Sequence, residues 1–267
     1  SVYPLYYAVV NSLNDGTNTT NFGMVQLWPR QFSLDSWRMV VKDPAIPTAL
    51  GITASRTVIV TVCQLIFTSM FAYAFSRPYL RFKKCYAALG FMSMYISGGI
   101  VATFLLLSKM GLYNTYWVYI IPSLFGGFYN VIIYTSNFRG IPDELFESAQ
   151  LDGASEYRIF FSIVLPLSKA TVAVLVLYYG LAHWNDWFAP MIYLQGAPQK
   201  YPLQLILRNM LIDNQMVDSA SGGNDQFLIF ETMKYAVIVV STLPMLIFYP
   251  FVQKYFDKGV MVGSVKG

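Results

Sequence analysis

Two stretches of the chain hold the residue types that could do chemistry. Residues 144–167, "ELFESAQLDGASEYRIFFSIVLPL", carry Glu144, Glu147, Asp152, Glu156 and Arg158 between two apolar runs. Residues 183–188, "HWNDWF", set His183, Asn185 and Asp186 among Trp184 and Trp187. Neither stretch reads as an enzyme. His183 is the sole histidine, so there is no HExxH motif, no multi-histidine metal set and no nucleophile with a plausible base. No GxxxxGK[ST] phosphate loop occurs either, so the chain is not expected to bind ATP. Cys63 and Cys85 lie inside or beside apolar runs, which indicates neither a disulfide framework nor a metal cluster. What remains is recognition. Carboxylates along a helical segment can meet a basic surface, and indole faces flanking Asn185 and Asp186 can stack on a pyranose ring while the polar pair bonds its hydroxyls.

The elements that must position these groups are greasy. Of 267 residues, 55% are hydrophobic, 17% aromatic and only 12% charged, where a soluble domain carries about 25% charged residues. That composition predicts a lipid-embedded chain. The net charge of +4 is small and scattered, which gives no argument for nucleic acid. Apolar runs cover 58–75, 85–107, 115–136, 170–194 (interrupted by His183 and Asp186) and 235–252, each near the roughly 20 residues a membrane-spanning helix needs. The opening "SVYPLYYAVV" reads as the tail of a further span, so a truncated first helix is expected. Gly98-Gly99 and Gly126-Gly127 fall inside spans, where small residues let helices approach. Pro122, Pro244 and Pro250 are expected to kink their helices, and Arg56 and Lys234 to snorkel from helix ends.

Basic residues set the orientation. Arg77, Arg81, Lys83 and Lys84 join with Arg139, Arg158, Lys169, Lys254, Lys258 and Lys266 on one side. The opposite connections hold the sparser Arg30, Arg38, Lys42, Lys109, Lys200 and Arg208. The positive-inside rule makes the first set cytoplasmic. The expected fold is therefore all-α: a polytopic membrane bundle of about six helices forming a single domain over 1–267, with both termini inside. Segment 138–169 then faces the cytoplasm and 195–230 forms a long outer loop.

Within the cytoplasmic segment the local signals are specific. Pro142 suits a first helical turn, and Asp143 and Glu144 complement a helix N-terminus. Leu145, Phe146 and Ala149 form an apolar stripe, with Glu147 and Gln150 facing elsewhere. Gly153 after Asp152 stops the helix. Ser155 can cap a second short helix through Phe161, and Pro166 lies where the next membrane helix begins. By physics this is either a pair of helices lying on the headgroups or a docking element for a cytoplasmic partner.

The run "ESAQLDGASEYRIFFSIVLPL" resembles the cytoplasmic coupling loop of ABC-importer permeases: Glu-Ala-Ala, two residues, Asp-Gly, nine residues, then Ile-x-Leu-Pro. Ser148 stands in place of the usual first alanine. "AYAFSRPYLRFKK", "GIPDELFESA", "WNDWFAPMIYL", "KGVMVGSVKG" and "LWPRQFSLDSW" extend the resemblance to the maltose-type carbohydrate branch, closest to oligosaccharide and polysaccharide-fragment importers of Gram-positive bacteria. The resemblance implies a permease subunit in the bacterial cell membrane, paired with a homologous second permease. It also implies two ATP-binding cassette subunits and an extracellular solute-binding protein that delivers the carbohydrate. ATP and magnesium would sit in the ATPase, with no cofactor in this chain. The coupling residues it implies are Glu147, Ser148, Ala149, Asp152, Gly153, Ala154, Ile163, Leu165 and Pro166, with Glu147 meeting a basic residue of the ATPase.

Asn185 and Asp186 can line a translocation path, or the cluster can be an interfacial aromatic belt. The resemblance turns the outer loop toward the binding protein, and its centre, "YPLQLILRNMLI", is amphipathic enough for a short helix. Two alternatives stand beside this reading. An ion-coupled secondary transporter would need carboxylates inside the bilayer, and Asp186 is the single candidate. A permease of the same class could also carry a non-sugar solute.

Overall fold

The computed structural model describes residues 3–15, 27–124, 126–218, 233–250 and 253, the side chains of 213–218 excepted. The apolar stretches become helices, joined by the amphipathic α2: α1 (Tyr3–Ser12), α2 (Asp35–Lys42), α3 (Ala45–Ser76), α4 (Lys83–Tyr95), α5 (Gly99–Lys109), α6 (Trp117–Ser123, its last turn tightened) and α7 (Phe128–Arg139). Segment 138–169 forms α8 (Asp143–Leu151) and the short α9 (Glu156–Leu167). They are followed by α10 (Lys169–Asn185), α11 (Phe188–Tyr193), α12 (Leu203–Asp218) and α13 (Met233–Pro250). The expected all-α membrane architecture holds, and no strand occurs among the described residues. The tail "KGVMVGSVKG", with Lys258 and Lys266, the preceding Lys254, and Gly222-Gly223 of loop 195–230 lie outside the described residues.

Among the described residues two helices, α3 and α13, are long and apolar enough to span a membrane unbroken, and three bent pairs raise the number to as many as five. The bends correct the sequence reading. Gly98-Gly99 does not pack inside a continuous helix; it separates α4 from α5 by 113°. Gly99 sits at φ +73°, a conformation a side chain would strain. Gly126-Gly127 likewise interrupts a span, between α6 and α7. The pair α9 and α10 bends by 84°, just after Pro166, which removes a backbone donor and crowds the carbonyl four residues back. The preceding turn over Phe160–Val164 widens to a π-helix, a common device at such a bend. The run at 170–194 breaks at Asp186, one of the two interruptions its sequence suggests, and at Trp187, while His183 stays helical.

The chain divides into two compact units. One comprises Ser1–Ser55 with Trp184–Phe248. Its core gathers Val40, Ile46 and Ala49 with Leu203 and Leu207 of α12 and Ala236 and Val237 of α13. Thr53 fastens α12 there, its Oγ1 accepting from the Leu203 amide at 2.8 Å.

The other unit comprises Arg56–His183 with Tyr249–Gly267. Its core packs Ala72 and Phe75 of α3 against Phe128, Tyr134 and Phe138 of α7, Phe146 of α8 and Ile159, Phe160 and Val164 of α9. A polar face of α3 is buried with it, at Thr57, Thr61, Gln64 and Thr68. Gln64 Oε1 lies 2.8 Å from His183 Nε2, which satisfies the histidine within the protein. A Cβ added at Gly126 would stand 2.9 Å from Gln64 Nε2 and Thr68 Oγ1 and 3.0 Å from the Tyr179 hydroxyl. Glycine is required there by close approach. Arg56 does not snorkel. It is 1% exposed, donates to the His183 carbonyl at 2.6 Å and lies 4.4 Å from the Tyr119 ring centroid.

Candidate coupling site

The backbone of segment 138–169 explains most of its motif residues. Asp143 and Glu144 occupy the first turn of α8, where negative charge complements the helix dipole. At the other end the Ala154 amide donates to Ala149 O at 2.9 Å and the Gly153 amide to Gln150 O at 3.0 Å. These are the paired bonds of a Schellman stop, with Gly153 at φ +75°. Ala149 and Ala154, half-buried, pack on the core and complete the stop. Ser155 then caps α9 by accepting from the Arg158 amide at 3.4 Å. Asp152, Gly153 and Ala154 are therefore shape residues. They fix the angle between α8 and α9.

The two faces of α8 differ. Phe146 is 5% exposed and built into the core. Leu145, expected in the same apolar stripe, is 43% exposed instead. Opposite Phe146, Glu144, Glu147, Ser148 and Leu151 are all exposed and follow the i, i+3, i+4, i+7 spacing of one helix face. Glu147 forms no hydrogen bond or ion pair among the described residues. Leu151 is 89% exposed, a large apolar side chain between carboxylates. The sequence reading did not single it out, although its spacing from Glu147 and Ser148 was available. Further on, Ile163 and Leu165 are half-buried against the core and Pro166 is exposed at the bend.

A polar clamp joins this segment to the end of α3. The Glu156 carboxylate accepts from Tyr73 at 2.5 Å, from Tyr79 at 3.0 Å and from Gln150 of α8 at 3.2 Å. Arg77, buried, stacks 3.7 Å from the Phe146 ring centroid and 5.2 Å from that of Tyr73; desolvation strengthens such cation–π contacts. Partial burial, then the hydrogen bond to Glu156 and its charge, push the Tyr79 phenol above its ordinary value. Neither Glu156 nor Arg77 was identified from sequence as part of the site. Both belong to it through contacts made only on folding.

The "HWNDWF" residues separate in space. Trp184 is buried and its indole donates to Ser241 O at 2.7 Å. Asn185 is exposed, its Oδ1 accepting from Gln204 at 3.3 Å. Asp186 Oδ1 accepts from the Ala189 amide at 3.2 Å and so caps the start of α11. Trp187 carries the Arg208 guanidinium 4.4 Å from its ring centroid. The helix expected in the outer loop forms as α12, with Leu203 and Leu205 1% exposed.

Residues 45–262 match the family described as binding-protein-dependent transport system inner membrane component. The chain belongs to that family. Its members are membrane-embedded transport permeases, which decides against the ion-coupled alternative. Similar proteins of Bacillus subtilis (strain 168) include Protein LplC, 38% identical over 90% of this chain and 81% of its own length. The polygalacturonan/rhamnogalacturonan transport system permease protein YtcP is also 38% identical, over 90% of this chain and 84% of its own. A crystal structure of a bacterial ABC transporter involved in the import of the acidic polysaccharide alginate superposes with a TM-score of 0.85. It is 28% identical and covers 96% of this chain and 90% of that one.

Proposed function

We propose that this permease is one membrane subunit of an ATP-driven importer that passes an oligosaccharide, delivered by an extracellular binding protein, across the bacterial cell membrane. The carbohydrate assignment draws on the relatives named for polygalacturonan/rhamnogalacturonan and for arabinooligosaccharides, and on the alginate importer. Residues 1–267 act as a single transmembrane domain with both termini cytoplasmic. It pairs with a homologous second permease and two ATPase subunits, which bind ATP and magnesium.

The observation that carries the coupling assignment is the two-faced α8. Its inner face is locked by Phe146, Arg77 and the Glu156 clamp, and its outer face presents the exposed side chains of Glu147, Ser148 and Leu151, which form no hydrogen bond or ion pair among the described residues. A rigid element with a free acidic and apolar face suits docking in a cleft of the ATPase. Ala149, Asp152, Gly153 and Ala154 fix its shape, and Ile163, Leu165 and Pro166 join its second arm to the α9–α10 bend. Movement of the docked helix then reaches α3 through Glu156 and Arg77. Asn185 and Asp186 border the path, with Asp186 also holding α11 in place.

The test is ATP hydrolysis by the reconstituted complex, with and without sugar-loaded binding protein. Stimulation in wild type, and its loss in Glu147→Ala with the binding protein's own sugar affinity unchanged, is the expected outcome. Equal stimulation in both proteins would refute the coupling assignment.

A further inference from the structure

A cavity of about 560 Å³ opens where the start of α4 meets the end of α7. Its lining has two halves. Phe91, Phe128 and Ile132 make an apolar wall, and Lys83, Lys84 and Arg139 gather beside it. The volume lies within the usual range of ligand pockets, about 300–1,000 Å³.

The charges here are placed against ordinary helix electrostatics. The N-terminus of a helix is its positive end and favours acids. Yet α4 begins with Lys83 and Lys84, has no acidic residue in its first turn and has no side-chain cap. Lys83 donates to the Arg77 carbonyl at 3.1 Å, but Lys84 and Arg139 form no hydrogen bond or ion pair among the described residues. Three cations and a helix N-terminus thus converge on one cavity without a carboxylate in its lining. An anion would offset both. The apolar wall asks for something more. No residue of α4 is buried among the described residues: Phe91 is 48% exposed, and Leu89 and Met92 more so. The cavity therefore runs into an uncovered apolar surface of a membrane helix.

We infer that this cavity binds the headgroup of an anionic phospholipid, its phosphate among Lys83, Lys84 and Arg139 and its acyl chain along Phe91, Phe128 and Ile132. Basic pockets between membrane helices at the cytoplasmic boundary recognise such headgroups. The inference rests on the reading that the cation-rich helix ends face the cytoplasm. Because α4 and α7 are packed on the same core as the coupling segment, a lipid held here would bear on the part of the permease that faces the ATPase.

The assembled importer is placed in nanodiscs of equal parts phosphatidylglycerol and phosphatidylcholine, re-extracted with mild detergent, and its retained lipid measured by mass spectrometry. The wild type is expected to retain phosphatidylglycerol over phosphatidylcholine, and Lys84→Gln/Arg139→Gln to lose that preference by roughly tenfold or more. Both side chains are exposed, so the variant folds, and unchanged assembly with the partner subunits checks that it does. Equal retention by wild type and variant overturns the proposal. So does loss of the preference in the wild type on adding inorganic phosphate alone, which would mark a free-anion site. Reaction of an Ala87→Cys thiol that is blocked in pure phosphatidylcholine nanodiscs would mean the second permease fills the cavity, and also overturns it. Labelling of Lys84→Cys with a membrane-impermeant thiol reagent reports the orientation separately. Access from outside would refute the orientation while leaving the lipid measurement to stand or fall by itself.

Discussion

The two faces of α8 make opposite demands, and a pair of truncations separates them. Phe146 is 5% exposed against Arg77 and the core, whereas Leu151, five residues on, is 89% exposed. Phe146→Ala should destabilise the permease by about 3–5 kcal/mol, the usual cost of emptying a buried aromatic site. Leu151→Ala removes almost nothing from the folded chain and should change its stability by less than about 0.5 kcal/mol. Its cost should fall on the complex. Losing about three buried carbons at roughly 0.8 kcal/mol each gives about 2 kcal/mol, or a roughly thirty-fold weaker ATPase association. Thermal unfolding of the permease in detergent and titration with its ATPase subunit measure the two effects on the same preparations. Leu151→Ala with unchanged ATPase affinity would refute the docking-face assignment. A Phe146→Ala protein as stable as wild type would refute the inner lock.

Glu156→Ala should leave ATPase binding near normal, because Glu156 faces Tyr73 rather than the docking side. It should uncouple binding-protein stimulation through loss of charge-assisted bonds worth roughly 1.5–3 kcal/mol where buried and less where solvent screens them; a normal ratio of stimulated to basal ATP hydrolysis would count against the clamp. Gly126→Ala should destabilise the unit by about 1–3 kcal/mol, since a Cβ there overlaps Gln64, Thr68 and Tyr179, and an unchanged unfolding temperature would refute that packing. Asp186→Asn keeps an acceptor for the Ala189 amide and should assemble normally, whereas Asp186→Leu removes the cap at a cost of about 1 kcal/mol. Transport per assembled complex then reads the path role: normal rates in both variants would exclude Asp186 from the path.

What could be read from sequence was what short-range rules control. The start of α8 at Pro142-Asp143, its stop at Gly153 and the cap at Ser155 each depend on residues within one turn, and all three form. The bends were harder, because a glycine pair inside an apolar run serves either close packing or a break. Gly99 takes its left-handed conformation through the path of the whole span. Arg56 reads as an end residue because the uncharged apolar run begins just after it, whereas α3 starts at Ala45. A signal was present: Thr53, Thr57, Thr61, Gln64 and Thr68 recur at helical spacing, and polar groups inside a membrane helix face the protein interior. Glu156 and Arg77 could not be assigned from local rules. Their partners lie across the fold, in Tyr73, Tyr79 and Phe146.

The central claim is that the exposed face of α8 passes work from an ATPase to the membrane helices. It is tested most directly by ATP-driven uptake of a labelled oligosaccharide into proteoliposomes that contain the full complex, with binding protein outside. Uptake by wild type is expected to require ATP inside and sugar-loaded binding protein outside, and to be lost in Glu147→Ala/Leu151→Ala although the two permeases still assemble. Wild-type rates of uptake by that double variant would contradict it.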